Sequence, residues 1–162
     1  MSEMVPTVIF NAWQTDSPEK SNRNAISFAI STAIASITAD QGVHFDKLEA
    51  TRSDDPGSPN IPQQIFARIL QCDIFIADLT TINIEATDVK RKTANPNVLI
   101  ELGMAVAAVG WSRVILLFNT AYGSLNDLPF DIDRQRVAQY RLREEECGKK
   151  TPGQAALNVV SD

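Results

Sequence analysis

The fold of this chain is organised around residues 95–103, which read NPNVLIELG. From Asn97 to Gly110 the only charged side chain is Glu101. A run that is apolar on every side predicts a helix buried in the interior of a fold. An ionised carboxylate on the first turn of such a helix costs several kcal/mol if it is dry and unpaired. We therefore expect Glu101 to be paired with another group or to take part in function.

On both sides of this predicted helix, short apolar runs alternate with segments of helical periodicity. Strands are predicted at Val5–Asn11, Val43–Thr51, Cys72–Leu79, Arg113–Phe118 and Val137–Leu142. Helices are predicted at Arg23–Asp40, with Ser21 or Asn22 as its cap, and at Ile61–Gln71 and Asn95–Gly110. This alternation indicates an α/β fold with a parallel sheet. Five strands favour a flavodoxin-like order, 2-1-3-4-5, with helices on both faces.

Composition limits the class of protein. The chain has 162 residues, which suits a single domain over residues 1–162, and a net charge of -5. An acidic balance disfavours nucleic acid as a direct partner. No stretch is long and apolar enough to span a membrane, and two cysteines favour a reducing compartment, so we expect a cytoplasmic protein. Residues 155–160 resemble the first turns of a helix that stops early, as in a domain excised from a longer protein.

Residue content also excludes several kinds of active site. His44 is the only histidine, and Cys72 and Cys147 lack metal-ligand spacing, so we expect neither a metal site nor a Ser/His/Asp triad. The chain contains neither a Gly-x-Gly-x-x-Gly motif nor a Gly-x-x-x-x-Gly-Lys-Ser/Thr phosphate loop. Nucleotide enzymes of those types are therefore disfavoured.

Polar residues follow the strands at the edge where a doubly wound sheet binds its ligands. Ligands bind beyond the carboxyl ends of the strands, between strands 1 and 3 of this order. That edge would hold Asn11–Asp16, Asp78–Asn83, the loop Arg52–Asn60 and the helix that carries Glu101.

Each candidate residue at this edge has two possible roles. Glu101 either stabilises a cationic transition state, staying ionised near the helix N-terminus, or hydrogen-bonds backbone donors. Asn97 either caps the helix or contacts a ligand hydroxyl. Asp78 either orients a sugar or caps the loop that follows it. Trp13 either stacks on a nucleobase or packs against the first helix.

Five segments resemble bacterial TIR-like nucleotide-binding domains, which are effector domains of anti-phage defence. They are residues 8–18 (VIFNAWQTDSP), 56–61 (PGSPNI), 72–80 (CDIFIADLT), 95–103 and 128–131 (LPFD), so the resemblance spans residues 5–142. It implies a flavodoxin-like fold and hydrolysis of NAD⁺ at the nicotinamide–ribose bond. It further implies that a sensor domain or partner protein activates the domain by assembling it into oligomers.

The resemblance also assigns roles to particular residues. It implies that Glu101 is catalytic and that the substrate pocket is shaped by Phe10, Asn11, Trp13, Asp78 and Asn97. NAD⁺ would be the substrate, and no cofactor is expected. The first strand ends with residues 10–13, FNAW, where the family typically has Ser-Tyr or Ser-Trp.

The Glu-Leu-Gly pattern at residues 101–103 is also similar to that of nucleoside 2-deoxyribosyltransferases. In those enzymes the matching glutamate attacks the sugar C1′. Both families break a bond between a sugar and a base through an oxocarbenium-like transition state. Three readings therefore stay open: an NAD⁺ hydrolase, a deoxyribosyltransferase-like enzyme, and a nucleotide-binding or interaction module without catalysis.

Overall fold

The computed structural model describes residues 5–48, 60–87 and 91–148. The predicted loop Arg52–Asn60, except for Asn60 itself, and the predicted helical turns at residues 155–160 lie outside these ranges. The prediction of a single domain over residues 1–162 stays a prediction.

Five strands form one parallel sheet in the order β2-β1-β3-β4-β5, which confirms the predicted order. The strands are β1 Thr7–Ala12, β2 Phe45–Leu48, β3 Ile74–Asp78, β4 Val114–Asn119 and β5 Val137–Tyr140. The α-helices are α1 Ala25–Gln41, α2 Ile61–Gln71, α3 Pro96–Val109 and the short α4 Phe130–Asp133. Because α4 is only four residues long, its sequence carried no helical periodicity and it was not predicted.

Side chains alternate between two apolar cores on opposite faces of the sheet. Successive residues of a strand point to opposite faces. Phe10 and Phe75 join the larger core with residues of α2 and α3, whereas their neighbours Ile9 and Ile76 pack with Ile26 and other residues of α1. Helices therefore cover both faces of the sheet, as predicted.

Helix α3 is buried on one side only, which corrects the prediction of a helix buried all round. Val98 and Leu102 are buried, whereas Ile100 is 60% exposed. The buried side packs against the sheet and α2, and the opposite side faces solvent. The structure also places Glu101 in the second turn of α3 and not in the first, because the helix begins at Pro96.

The N-cap of α3 is Asn95, so of the two roles that the sequence left open for Asn97 the structure excludes capping. The side-chain oxygen of Asn95 accepts hydrogen bonds from the backbone N–H groups of Asn97 and Val98, at 2.8 and 3.4 Å. Pro96 occupies the first helical position, where a missing N–H costs nothing. The side chain of Asn97 is exposed and has no hydrogen bond to any residue that the structure describes.

The start of α1 also differs from the prediction. A π-helical turn, Lys20–Asn24, precedes α1, and neither Ser21 nor Asn22 caps the helix. Both side chains are instead fully buried in a polar network at the carboxyl edge of the sheet.

This network joins β3, β4, the start of α1 and the segment after β5. Asp78, 1% exposed, accepts hydrogen bonds from the Asn22 amide at 3.2 Å and from the Thr80 hydroxyl at 2.6 Å. Asn119, fully buried at the end of β4, donates to the Asn22 side chain and the Leu142 carbonyl, and accepts from the Leu142 N–H. Because buried polar groups without partners are costly, this network fixes how the strand ends sit relative to α1.

We expect Asn119→Ala to lower the free energy of unfolding by about 3 kcal/mol or more, because it leaves several buried partners of the amide unsatisfied. Urea denaturation followed by circular dichroism measures the change. Asn126→Ala, at an exposed position of a neighbouring turn, should change it by less than about 0.5 kcal/mol. Equal effects of the two substitutions would contradict the role of the network.

Candidate functional site

The candidate site lies at the carboxyl edge of the sheet, where β1 and β3 end beside the N-terminus of α3. The chain leaves β1 toward α1 on one face, and α2 and α3 lie on the other face. Adjacent strands whose connections leave in opposite directions open a crevice at this edge, which is where open α/β sheets bind ligands. Asn11, Trp13 and Asp78 reach this edge, and Glu101 lies one turn into α3.

Glu101 is partly buried, and among the described residues it has neither a hydrogen-bond partner nor an ion-pair partner. Burial raises the pKa of its carboxyl to about 7. The expectation that the helix dipole would keep the acid readily ionised is therefore corrected. Glu101 lies beyond the first turn, where the dipole acts most strongly, so desolvation dominates. Because the pKa lies close to 7, this acid can carry either a proton or a charge near neutral pH.

The loop after β1 is tied directly to the helix that carries Glu101. The Asn95 side-chain amide donates a hydrogen bond to the carboxylate of Asp16. The same amide caps α3 through its oxygen, so one side chain sets both the start of the helix and its distance from the loop. Asp16 lies in the predicted edge segment Asn11–Asp16, but its pairing with Asn95 was not predicted. An Asn directly before a helical Pro is a signal for a cap, but nothing local indicates its partner.

Three acceptor atoms in and just after β1 are buried without a partner among the described residues. They are Oδ1 of Asn11, Oε1 of Gln14 and Oγ of Ser17. Gln14 is 4% exposed, and its Nε2 donates to the Thr80 carbonyl at 3.0 Å, which leaves Oε1 as a free acceptor. Because buried acceptors are normally satisfied, these atoms are candidates for contact with ligand hydroxyl or amide groups. Gln14 lies in the predicted edge segment Asn11–Asp16, but the burial of Gln14 and Ser17 was not predicted, because it depends on tertiary packing.

Trp13 is stacked against a cation from the turn before α1. The guanidinium carbon of Arg23 lies 3.6 Å from the centroid of the Trp13 ring, in a cation–π contact. Arg23 also lies 3.6 Å from a carboxylate oxygen of Glu19, although both side chains are substantially exposed. One face of the indole is therefore occupied, and an aromatic ligand would have to use the other face or displace Arg23.

Two of the predicted pocket residues are almost completely buried. Phe10 is fully buried and stacks on Phe75, with the ring centroids 5.7 Å apart, so it supports the edge from within the core. Asp78 caps the loop after β3, since one of its oxygens accepts from both the N–H and the hydroxyl of Thr80. Of the two roles that the sequence left open for Asp78, the structure shows the loop cap, through which Asp78 positions the strand ends. That Phe10 shapes a substrate pocket stays a prediction.

The side chains at this edge suit a polar ligand with an aromatic group. Glu101 supplies an acid, Asn11 and Gln14 supply buried acceptors, and Trp13 with Arg23 supplies an aromatic surface beside a positive charge. The part of the chain that the structure describes contains no group of three or more His, Cys, Asp or Glu side chains arranged to hold a metal ion.

A family model described as "CAP12/Pycsar effector protein, TIR domain" matches residues 24–132. The chain belongs to this family. These proteins are TIR-domain effectors of anti-phage signalling. The match covers α1, α2, α3 and strands β2 to β4, so it includes Glu101 and the Asn95 cap. It confirms the resemblance to TIR-like domains that the sequence motifs indicated.

No curated protein matches the chain. A 2-desoxiribosyltransferase from Leishmania mexicana is similar with 21% identity and a TM-score of 0.40, over 70% of this chain and 64% of that chain. The chain thus spans less than two thirds of that protein. A CMP N-glycosidase from Clostridium botulinum is similar with 18% identity and a TM-score of 0.40, over 88% of this chain and 96% of that chain.

Within residues 5–48, 60–87 and 91–148, no helix has the length and hydropathy required to cross a bilayer.

We expect Glu101→Gln to alter the pH dependence of stability. The carboxyl pKa is about 7 in the folded protein, above the ordinary value of 4.5 for a glutamate, so between these pH values the folded protein binds more protons than the unfolded chain. The free energy of unfolding of the wild type therefore falls as pH rises through this window. The Glu101→Gln variant lacks the titrating carboxyl group, so this decrease should not occur in it. Between about pH 5 and pH 8 the variant should gain roughly 1–2 kcal/mol relative to wild type, a value discounted for partial solvation.

Urea denaturation at both pH values measures this difference. Glu145→Gln, which removes an exposed carboxyl, is the matched control and should leave the difference close to zero. If the free energy of unfolding of Glu101→Gln equals that of the wild type at both pH values, the acid is not desolvated.

Proposed function

We propose that this TIR-family domain hydrolyses NAD⁺ at the bond between nicotinamide and ribose, with Glu101 as the catalytic carboxylate. The environment of Glu101 carries the proposal. Its side chain is partly buried and has no partner among the described residues. Burial raises the pKa of its carboxyl group to about 7. Structural acids in cores are normally paired, as Asp78 is here. An unpaired one at the ligand-binding edge of the sheet is a candidate for chemistry.

The reaction needs little more than one well-placed carboxylate. The C1′–N bond breaks, and its electron pair neutralises the positive charge of the nicotinamide ring, which leaves as neutral nicotinamide. The ribose is left as an oxocarbenium-like centre, which the ionised Glu101 stabilises by charge or captures covalently. Water then attacks C1′ and loses a proton, which gives ADP-ribose. If a nucleophile of the adenine attacks instead of water, the product is a cyclic form.

The remaining side chains at the edge have roles that match the parts of this substrate. The buried acceptors of Asn11 and Gln14 are suited to ribose hydroxyls, which are donors. Trp13 offers an aromatic face to a base, and Arg23 offers a positive charge to the pyrophosphate. Asn97 is exposed at the start of α3, where its amide is free to meet a hydroxyl.

Membership of an effector family suggests how such an activity is controlled. An enzyme that consumes a central nucleotide must be silent until a signal arrives. We propose that a sensor domain or partner protein brings copies of the domain together, and that their self-association completes the site. Both cysteines that the structure describes are free, which suits the reducing cytoplasm where NAD⁺ is abundant.

The first test compares matched variants on NAD⁺. When fused to a tetrameric coiled coil that forces clustering, the wild-type chain should release nicotinamide, measured by liquid chromatography. Glu101→Gln keeps the side-chain shape but removes the charge, so we expect the rate to fall at least about 100-fold. Glu145→Gln, at an exposed position, should retain full activity.

Other outcomes of the same assay identify the alternatives. A clustered protein that is inert toward NAD⁺ but exchanges bases on deoxynucleosides is a deoxyribosyltransferase-like enzyme. A protein that does neither, yet binds NAD⁺ by calorimetry, is a binding module. Equal rates for wild type and Glu101→Gln would remove Glu101 from the mechanism.

The pKa of Glu101 predicts the pH profile of the reaction. Because the ionised form is the active one, kcat/KM should fall about tenfold per pH unit below about pH 7 and level off above it. The apparent pKa in kcat should be lower, since a bound cationic substrate favours the carboxylate. Initial rates between about pH 5 and pH 9 measure both. A profile without an acidic limb near 7 would contradict the assignment of Glu101.

A further inference from the structure

The loop after β1 is bound by side-chain hydrogen bonds to two other elements at the carboxyl edge. Nε2 of Gln14 donates to the carbonyl of Thr80, which follows β3, at 3.0 Å. Two residues later, the carboxylate of Asp16 accepts a hydrogen bond from the side-chain amide of Asn95. Because the chain leaves β1 toward α1, and α3 lies on the opposite face of the sheet, the second bond joins the two sides of the crevice. The loop that carries Trp13 is thus attached both to the segment after β3 and to α3.

Both ends of the Asn95 amide are engaged. Its oxygen accepts hydrogen bonds from the backbone N–H groups of Asn97 and Val98, at 2.8 and 3.4 Å, and its nitrogen donates to Asp16. The two helix N–H groups require an oxygen opposite them, so the amide cannot turn over and present its oxygen to Asp16. Asn95 is also buried. The loop is therefore held by a group whose orientation is fixed.

The bond between Asp16 and Asn95 is the link between this loop and α3. Among the residues that the structure describes, no other hydrogen bond or ion pair joins residues 13–19 to α3. Glu101 follows Asn95 on the same helix, at a rise of roughly 9 Å along the axis, and helical side chains point back toward the N-terminus. Because the helix is rigid over this distance, a shift of the loop relative to Asn95 is also a shift relative to Glu101.

We propose that Asn95 is a positioning residue, which holds the loop after β1 at the distance from Glu101 that the reaction requires. This role rests on the proposed function, in which Trp13 meets the base of the substrate and Glu101 meets C1′. The two side chains come from different elements, so the sugar reaches the acid correctly only if those elements keep their spacing. A displacement of about 1 Å can reduce a rate about 100-fold. Helix capping needs only the oxygen of Asn95, whereas positioning needs its nitrogen as well.

Exchanging the donor and the acceptor separates these two roles. Asn95→Asp keeps an oxygen for the helix N–H groups, and Asp is as good an N-cap as Asn, but the substitution sets two carboxylates against each other. Asn95→Asp combined with Asp16→Asn restores the hydrogen bond in the reverse direction, with the amide donor on the loop. The double variant has the composition and net charge of the wild type, so the effect of an added charge on Glu101 is removed from the comparison.

The variants are compared in the clustered protein by the rate of nicotinamide release from NAD⁺. Asn95→Asp should lower kcat/KM at least about tenfold, with most of the loss in kcat. The double variant should return to within roughly threefold of wild type. The urea midpoints of both should stay close to that of the wild type, because α3 keeps its cap.

Tryptophan fluorescence measures the position of the loop without any turnover. With Trp111→Phe as background, Trp13 is the one tryptophan in the chain. Asn95→Asp should release the loop and raise the acrylamide quenching constant of Trp13, and the double variant should restore the wild-type constant. Asn60→Asp makes the same substitution at the cap of α2, where the side-chain oxygen accepts from the Gln63 N–H at 3.3 Å. This control should leave the quenching constant unchanged.

Three results would overturn the role of Asn95. The first is full activity of Asn95→Asp in a protein whose wild type is active. The second is a double variant that is no more active than Asn95→Asp, which would leave capping or a direct substrate contact as the role of Asn95. The third is quenching of Trp13 that does not follow the exchange. A wild type that is inert toward NAD⁺ contradicts the proposed function instead, and the quenching series then decides whether Asn95 positions the loop.

Discussion

The carboxylate of Asp78, buried at the end of β3, is the constraint on which the carboxyl edge of the sheet depends. A charge that is 1% exposed is stable only when its oxygens accept hydrogen bonds, and Asn22 and Thr80 supply them. Asn119 then connects those residues to the segment after β5. The start of α1 and the ends of β3 and β4 are thereby held in one arrangement. Burial raises the pKa of the neighbouring Tyr140, so its hydroxyl remains a donor to the Ser21 carbonyl.

Glu101 is the opposite case within the same domain. It is partly buried, as a functional acid is expected to be, but no described residue donates a hydrogen bond to it. The fully buried acid Asp78 is hydrogen-bonded through both oxygens, whereas the partly buried Glu101 has no partner among the described residues. Glu101 lies in the second turn of a helix whose start is fixed by Asn95 and Asp16. A rigid support beside an unsatisfied acid is the arrangement that enzymes use for a group that must interact with substrate. This contrast, together with membership of the TIR effector family, supports the assignment of catalysis to Glu101.

The order of elements and the strand order were predictable because they rest on local patterns. Runs of β-branched residues, helical periodicity and turn residues specify an α/β alternation, and few topologies satisfy right-handed crossovers. The bounds of α2 were predicted as observed, since Asn60 caps it and Pro62 lies in its first turn. The extent of burial of α3 was not predictable: its composition is apolar all round, but only the assembled sheet decides which side is covered, and Ile100 is left exposed.

The sequence by itself determined the fold class, the family and the position of the unusual acid, because each depends on residue identity and spacing. Only the tertiary structure decided which polar residues pair. It placed Phe10 in the core, enclosed Asp78 in a network, and made Asn95 and not Asn97 the cap. It also brought Gln14 to a buried position next to Thr80, a residue distant in the chain. The physical reason is that desolvation and hydrogen-bond partners are set by groups far apart in sequence, so a residue's role at the edge of the sheet follows from its neighbours in space.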